Sequence, residues 1–192
     1  MKNNYKLKLI ETEDERQKAK NIVETYHSYV PTYKSVGRRI DWLIYKEESD
    51  NPIGMIGIGS STYPPCKDIL KELNITKEEY KNIFNNIANN WRFCMIEKIP
   101  NAGTQILKNM RKQAPIEWKK KYGDDLNYLI TFVAGGNNGA VYLADNWKLI
   151  GKTAGLPKHK SVSMKWDDKD TIKQKYVKPT GENQKLIFIK KL

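Results

Sequence analysis

The chain has 192 residues, a formal net charge of +12, 39% hydrophobic residues and two cysteines. This length suffices for one domain with a buried core over 1–192, and no apolar run reaches the roughly 18 residues that a membrane-spanning helix requires. Because Cys66 and Cys94 lie far apart and the N-terminus lacks the apolar segment of a signal peptide, we expect a reduced, cytoplasmic protein without a disulfide framework or a CxxC site.

The excess positive charge lies almost entirely in the second half of the chain. Residues 1–97 carry 15 Lys and Arg against 14 Asp and Glu, whereas residues 98–192 carry 19 against 8. This asymmetry favours a nucleic-acid partner, since each cation placed near a phosphate releases a condensed counterion. The cations are mostly lysines in a chain rich in Asn and Ile, so the codon bias of an AT-rich genome is an alternative source of the excess.

The chain begins with a predicted strand and helix. Residues 5–10 alternate between polar and apolar side chains, which indicates a strand. Thr12 and Glu15 form a capping box at the start of an amphipathic helix that must end before Pro31. A polar loop follows, and its length and chemistry suit a loop that faces a substrate.

A predicted β-hairpin and a helical insert come next. Residues 40–45 and 53–60 read as its two strands. The second strand contains three glycines, which indicate a bulge or a close approach to the backbone, and we favour the bulge. Residues 61–90 predict a helical insert that covers the sheet.

The central stretch predicts a buried strand over 92–99 that turns directly into an amphipathic helix. The first amides of such a helix point forward without partners, so the turn at 101–104 is a candidate anion cradle. The alternative is an ordinary strand-to-helix turn capped by Asn101. Pro115 predicts a kink near Ala114 and a short second helix that ends at Gly123.

The remaining elements are shorter. Residues 126–134 predict a buried strand, 141–145 a short helix and 147–153 another strand. Residues 154–184 form a basic segment without periodicity, and residues 185–191 predict the last strand.

Few residues qualify as catalytic groups. His27 could act as a general base, with a solvated histidine at a helix C-terminus as the alternative. Tyr142 could donate a proton, with a tyrosine whose hydroxyl is satisfied in the core as the alternative. Walker, HExxH, GxSxG and Cys/His metal motifs are absent from the sequence, so we expect no metal site. Asp41 and Glu97 could form a two-metal nuclease site, but the required E-x-K pattern is not clear.

A further group of residues is predicted to contact a nucleic acid. Loop tyrosines and arginines can stack on a base and clamp a phosphate, although the same residues suit an ordinary solvated loop. The predicted contacts to DNA are Tyr33, Arg38, Arg39, Ser60, Lys108, Arg111, Lys112, Trp118, Lys158 and Lys160.

The order of elements resembles the GNAT (N-acetyltransferase) fold, a mixed α/β architecture with a mostly antiparallel central sheet flanked by helices. Asn138, Tyr142 and Trp147 have the spacing that this family often shows after its fifth strand. The resemblance implies that Tyr142 protonates the leaving thiolate of coenzyme A. It also implies acetyl-CoA or another acyl donor as cofactor, bound by Asn101, Ala102, Gly103, Thr104 and Gln105.

Within this fold the chain resembles the branch that contains the phage Mom DNA-modification proteins and related Druantia-type defence proteins. The shared pieces lie between residues 26 and 155. They are Tyr26-His27, Gly37, Gly59-Ser60, Arg92, Asn101-Ala102, Trp118, Tyr122-Gly123, Thr131-Phe132-Val133, the run 139–144, Asn146-Trp147 and Gly151 to Gly155. The chain departs from the acetyltransferase pyrophosphate loop, Arg/Gln-x-x-Gly-x-Gly/Ala, and has Ala134 where an acidic residue is expected.

The resemblance implies transfer of an acyl-type or carbamoylmethyl group to the exocyclic amine of adenine in DNA. His27 is then the proton acceptor, Tyr142 the proton donor, and Arg92 joins Tyr33, Arg38 and Arg39 in holding the substrate. The alternatives are a non-catalytic GNAT-like DNA-binding protein and a conventional acetyltransferase acting on a small amine or protein.

Overall fold

The computed structural model describes residues 5–27, 32–134, 136–155, 181 and 183–192. Their strands are β1 (Tyr5–Leu9), β2 (Arg39–Lys46), β3 (Pro52–Ser60), β4 (Ile87–Met95), β5 (Tyr128–Val133), β6 (Lys148–Lys152) and β7 (Leu186–Lys191). Their helices are α1 (Glu13–Tyr26), α2 (Lys67–Leu73), α3 (Lys77–Ile83), α4 (Ala102–Tyr122) and α5 (Ala140–Ala144), with a 3-10 turn at Phe84–Asn86.

The strands form one sheet in the order β1-β2-β3-β4-β5-β7-β6. Each neighbouring pair is antiparallel except β4 and β5, which are parallel. The predicted mostly antiparallel α/β sheet is therefore confirmed. The helix that a parallel pair needs as its crossover is α4, because it connects β4 to β5.

Successive residues of β2 face opposite sides of the sheet and show how the helices are layered. Trp42 packs in a core cluster with residues of α4 and α5, whereas Leu43 packs in a cluster with residues of α1. The side chain of Ile130, on β5, packs with residues of α2 and α3. The sheet thus carries α4 and α5 on one face and α1, α2 and α3 on the other.

The central strand begins and ends earlier than its sequence predicts. It runs from Ile87 to Met95 rather than from 92 to 99, so residues 87–90 belong to the sheet and not to the predicted insert. Its start is hidden in the sequence because Asn89 and Asn90 interrupt the apolar run. Asn90 is nevertheless buried, since its amide is hydrogen-bonded inside the sheet.

The predicted second helix after Pro115 is wrong, because α4 is a single helix of 21 residues with Pro115 inside it. Proline removes one backbone donor from a helix and disfavours its continuation. Here the buried side chains of Ala114 and Trp118 lie on either side of the proline, so packing of the apolar face keeps the helix continuous. Gly123 ends it in the left-handed conformation, with φ 79°, as predicted.

The glycine-rich strand β3 accommodates a bulge in its neighbour. Gly57 pairs with Arg92 and Ile58 pairs with Asn90, so Trp91 is an extra residue on β4. A Cβ at Gly57 would overlap the Asp41 carboxylate and the Trp91 indole. Both predicted meanings of the glycines, a bulge and a close approach, therefore apply at this one position.

Candidate active-site cleft

A cleft opens where the parallel strands β4 and β5 separate. Only three residues of each strand pair, Ile87–Asn89 with Tyr128–Ile130, although both strands continue. A cavity of about 880 Å³ follows the divergence and extends to the start of α4 and to α5. The separation of the two strands begins directly after Asn89.

The start of α4 forms one wall of the cavity. Asn101 has φ 61° and makes no side-chain capping bond, so the predicted cap by Asn101 is wrong. The amide of Ala102 donates to the Ile99 carbonyl at 3.2 Å, whereas no acceptor among the described residues faces the amides of Gly103 and Thr104. These two amides are the donors available to an anion at the end of the helix.

Gly103 also brings α4 close to α5. A Cβ at this position would overlap the Val141 side chain, so the two helices approach at a distance that only glycine allows. Gln105, the last residue of the predicted cradle, is exposed and lies outside the cavity lining.

A buried polar group stands at the point of divergence. The side-chain amide of Asn90 donates to the Gly57 carbonyl at 2.8 Å and to the Arg92 carbonyl at 3.0 Å. Its Oδ1 accepts the Tyr142 hydroxyl at 2.7 Å, and its backbone carbonyl accepts the Thr131 hydroxyl at 3.1 Å. Asn90 therefore holds the bulge of β4, the edge of β5 and the tyrosine of α5 together.

Tyr142 lines the cavity but is largely buried, with 7% of its surface exposed. Its ring stacks on Phe188 and packs against Trp147, which fixes the direction of the hydroxyl. A carbonyl oxygen only accepts, so the hydroxyl proton is directed at Asn90. Before it can protonate a group in the cavity, the hydroxyl must rotate away from Asn90.

His27, the C-terminal cap of α1, also lines the cavity. Burial lowers the pKa of its imidazole, and the positive charge of Arg92 lowers it further. The ring is therefore neutral near pH 7 and able to accept a proton. Arg92 itself donates to the Thr32 carbonyl at 2.9 Å and to the Trp91 carbonyl at 2.7 Å, which ties the loop after α1 to β4.

Cys94 also lines the cavity, on β4. Burial raises the pKa of its thiol to about 11, so the thiolate that nucleophilic catalysis requires is scarce at neutral pH. Its Sγ lies 3.6 Å from the Ile22 carbonyl. Cys94 is thus a core residue at the cavity wall.

The predicted clamp residues Tyr33 and Arg39 lie instead in a compact cluster around Asp41. The buried Asp41 carboxylate accepts the Tyr33 hydroxyl and the Trp91 indole at 2.9 and 3.0 Å and pairs with the Arg39 guanidinium. Arg39 stacks over Tyr33 and Trp91, with its guanidinium carbon 3.9 and 4.2 Å from the ring centroids. Asp41 and Glu97 line different cavities, so they do not form a pair of metal ligands.

Arg38, Ser60 and Trp118 also have partners inside the protein. Arg38 pairs with Asp124 and stacks over Trp118 and Tyr122, and its amide donates to the Ser60 hydroxyl at 2.9 Å. The prediction that Trp118 contacts DNA is wrong, because this side chain is completely buried between α4 and the sheet.

The predicted basic contacts divide into two kinds. Lys108 and Lys112 are exposed on α4, whereas Arg111 binds the buried Asp145 through two hydrogen bonds of 2.9 and 2.6 Å. Lys158 and Lys160 lie outside the described residues.

Two groups of the cleft were not predicted from the sequence. Asn90 gave no signal, because a buried Asn in an apolar run looks like an ordinary interruption of a strand. Thr131 belongs to the shared piece Thr131-Phe132-Val133, but that resemblance assigned it no role. Within the described ranges, no group of three or more His, Cys, Asp and Glu side chains could hold a metal ion. In the same ranges, no helix is both long and apolar enough to cross a membrane.

Comparison with solved structures shows that this is the GNAT fold. Arabidopsis thaliana NAA60 in complex with acetyl-CoA superposes with a TM-score of 0.57 at 10% identity, covering 98% of this chain and 99% of that one. A Bacillus subtilis acetyltransferase in complex with CoA gives 0.54 at 10% identity, covering 100% and 99%. FeeM, an N-acyl amino acid synthase from uncultured soil microbes, gives 0.55 at 11% identity, covering 98% and 90%.

Among curated proteins, none matches the sequence significantly. The family model of the Druantia protein DruA, in contrast, matches residues 2–181, which is most of the chain. The chain therefore belongs to the DruA family of Druantia proteins, and its fold is that of the GNAT acetyltransferases.

Proposed function

We propose that this protein transfers an acyl-type or carbamoylmethyl group from an activated donor in the cleft to the exocyclic amine of adenine in DNA, as part of a defence system. The single observation that supports the transfer is the cavity between the separated strands. It has α4 amides at one wall and the neutral His27 at another. The choice of DNA is supported by the charge of residues 98–192 and by the resemblance to Mom-type proteins.

The residues present fit a donor of the coenzyme A type. Gly103 and Thr104 offer two amides without acceptors among the described residues, which suits a pyrophosphate. Beyond Asn89, the edge of β4 that faces β5 pairs with no strand of the described residues. Its backbone groups that Thr131 and Asn90 do not already engage can pair with the amides of an extended donor arm. A bound acyl-CoA supplies a thioester carbonyl as the electrophile.

The proton transfers are assigned to His27 and Tyr142. Adenine N6 is a poor nucleophile because its lone pair is delocalised into the ring, so attack needs a base at the amine. His27 accepts the proton that the amine loses as the new C–N bond forms. The Tyr142 hydroxyl, once rotated from Asn90, would give its proton to the leaving group of a bound donor. The proton that His27 has accepted would then return to Tyr142 through solvent.

The base must leave the duplex to enter a cleft of this kind. Extrusion of a base costs a few kcal/mol, which contacts to the phosphate backbone can offset. Arg92 lines the cavity on the same side as His27, and its positive charge is placed to orient an incoming substrate.

The test is mass spectrometry of nucleosides digested from DNA of cells that express the wild-type chain, His27→Ala or Tyr142→Phe. We expect a new adenine-derived nucleoside with the wild-type chain and about 10²-fold less with either variant. An unchanged nucleoside profile with the wild-type chain would contradict the proposed function.

A second candidate function, a non-catalytic DNA-binding protein, is favoured by two observations. The Tyr142 hydroxyl is held by Asn90, and the turn at α4 lacks the usual pyrophosphate loop. A thermal shift with acetyl-CoA separates the two for a coenzyme A donor. Stabilisation that is lost in Gly103→Val supports the transferase, and no stabilisation favours the binder.

A further inference from the structure

The outer face of α4 differs in charge from the other long helix of the protein. Its exposed side chains follow one another at helical spacing and include no acidic residue. We define the α4 lysine face as Gln105, Lys108, Lys112, Ile116, Lys119 and Lys120.

Helix α1 provides the contrast. Its exposed residues alternate in sign, with Glu13, Asp14 and Glu24 among its lysines, and Lys18 pairs with Asp14 at 2.7 Å. Such alternation is typical of a solvated surface. A row of four lysines raises the local positive potential instead. The half-buried Glu117 lies beside Lys120 at the edge of this row. The helix dipole favours Lys119 and Lys120 in the last turn, but it does not account for Lys108 and Lys112, which lie more than a turn earlier.

The amino groups of the α4 lysine face are available. No hydrogen bond or ion pair within the described residues engages the amino groups of Lys108, Lys112 or Lys120. Lys119 lies 3.0 Å from Asp125, but both side chains are more than half exposed, so water screens this pair and a phosphate can replace it. The neighbouring Arg111 is held by Asp145 and does not belong to the face.

The dimensions of the face fit a nucleic-acid strand. Lys108 and Lys120 are separated by about 18 Å along the helix at about 1.5 Å per residue. Phosphates of one DNA strand follow each other about every 3.4 Å along the axis, so the row spans about five phosphates. The helix begins at the cavity, because Ala102, Gly103 and Thr104 line it.

From charge, length and position together, we infer that the α4 lysine face binds the sugar-phosphate backbone of duplex DNA and directs the duplex to the cleft. The inference rests on the proposed function for its substrate and adds the surface that holds it. Contacts to phosphates position a duplex without reading its sequence, so binding through this face is independent of sequence.

The test compares two variants with equal loss of charge. In the first, the four lysines of the α4 lysine face are changed to glutamine. In the second, the control, Lys67, Lys71, Lys77 and Lys81 are changed to glutamine; these exposed lysines belong to α2 and α3 on the opposite face of the sheet. Fluorescence anisotropy with a short labelled duplex is recorded over a series of salt concentrations.

For the wild-type chain and the control variant we expect similar steep slopes of log affinity against log salt. For the α4 variant we expect the slope to fall by about 3 to 4, because each lost phosphate contact removes about 0.9. Equal losses in the two variants, no duplex binding by the wild-type chain, or preferential binding of single strands by all three proteins would each overturn the inference.

Mass spectrometry of nucleosides from cells that express the α4 variant separates this inference from the proposed function. If the wild-type chain binds a duplex through α4 but cells that express it contain no new nucleoside, the binding surface is supported and the proposed reaction is rejected. If cells that express the wild-type chain contain a new nucleoside and the α4 variant binds the duplex as the wild-type chain does, only the proposed surface is rejected.

Discussion

Two buried polar clusters lie on either side of the bulge at Trp91. They differ in the groups that their polar atoms bond and in the cavity that they line. In the Asp41 cluster, the carboxylate is surrounded by donors from Tyr33, Arg39 and Trp91. In the Asn90 cluster, which lines the cavity, the side-chain carboxamide accepts the Tyr142 hydroxyl and the backbone carbonyl of Asn90 accepts the Thr131 hydroxyl. The first cluster lines a separate cavity of about 520 Å³. The second lines the cleft between β4 and β5, which the start of α4 and His27 also line.

Residue type alone therefore does not distinguish a residue that stabilises the sheet from one that lines the cleft. Tyrosine and arginine in a polar loop predict a substrate clamp, yet Tyr33 and Arg39 pack against each other and Asp41. Asparagine in a strand predicts nothing, yet Asn90 lies at the wall of the cleft. Changes in the two clusters should therefore affect different measurements.

The largest effect should come from Asp41→Ala. The substitution leaves the Arg39 guanidinium buried without its carboxylate and removes the acceptor of two further donors. Loss of one partner of a buried ion pair costs about 3 to 5 kcal/mol of the free energy of unfolding, which urea denaturation measures. Asp50→Ala, at an exposed turn, is the control. A loss as small as that of the control would show that Asp41 is not structural.

The next effect concerns tyrosines in the two clusters. Tyr142→Phe should lower formation of the modified nucleoside about 10²-fold, since it removes the proposed proton donor. Tyr33→Phe, which also removes one buried hydroxyl, should lower stability by about 1 to 3 kcal/mol and leave activity per folded molecule nearly unchanged. Equal activity of the two variants would remove the distinction between the clusters.

Asn90→Leu should combine a loss of stability with a loss of activity. It leaves the carbonyls of Gly57 and Arg92 without their donor and the Tyr142 hydroxyl without its acceptor. We expect about 1 to 3 kcal/mol less stability by urea denaturation. The double variant Asn90→Leu with Tyr142→Phe should lose less activity than the two single changes added together, because the residues act through one contact. Full additivity would contradict this coupling.

The smallest effect is a shift in the pH dependence of turnover. Burial and the positive charge of Arg92 lower the pKa of His27. Because protonation of His27 removes the proposed base, turnover should fall only when the pH drops below the ordinary pKa range of histidine. Arg92→Gln should move this limb towards higher pH by removing a positive charge beside the ring. A pH profile that is identical in both proteins would show that Arg92 does not act on His27.

The order of the secondary-structure elements and the fold family could be predicted from the sequence alone. Apolar periodicity, the Thr12 capping box and Gly123 fixed the helices, because these signals depend on neighbours in the chain. The succession of elements and the spacing of Asn138, Tyr142 and Trp147 indicated the GNAT fold, which the structural comparisons confirm.

Only the tertiary structure decided which polar residues face the cleft. Asn90 and Thr131 are 41 residues apart, and Asn90 and Tyr142 are 52 apart, so no local pattern could reveal their contact. The continuity of α4 through Pro115 likewise depends on packing of Ala114 and Trp118 against the sheet. The physical reason is the same in both cases: hydrogen bonds and apolar contacts between distant segments outweigh the preferences of each residue for a local conformation.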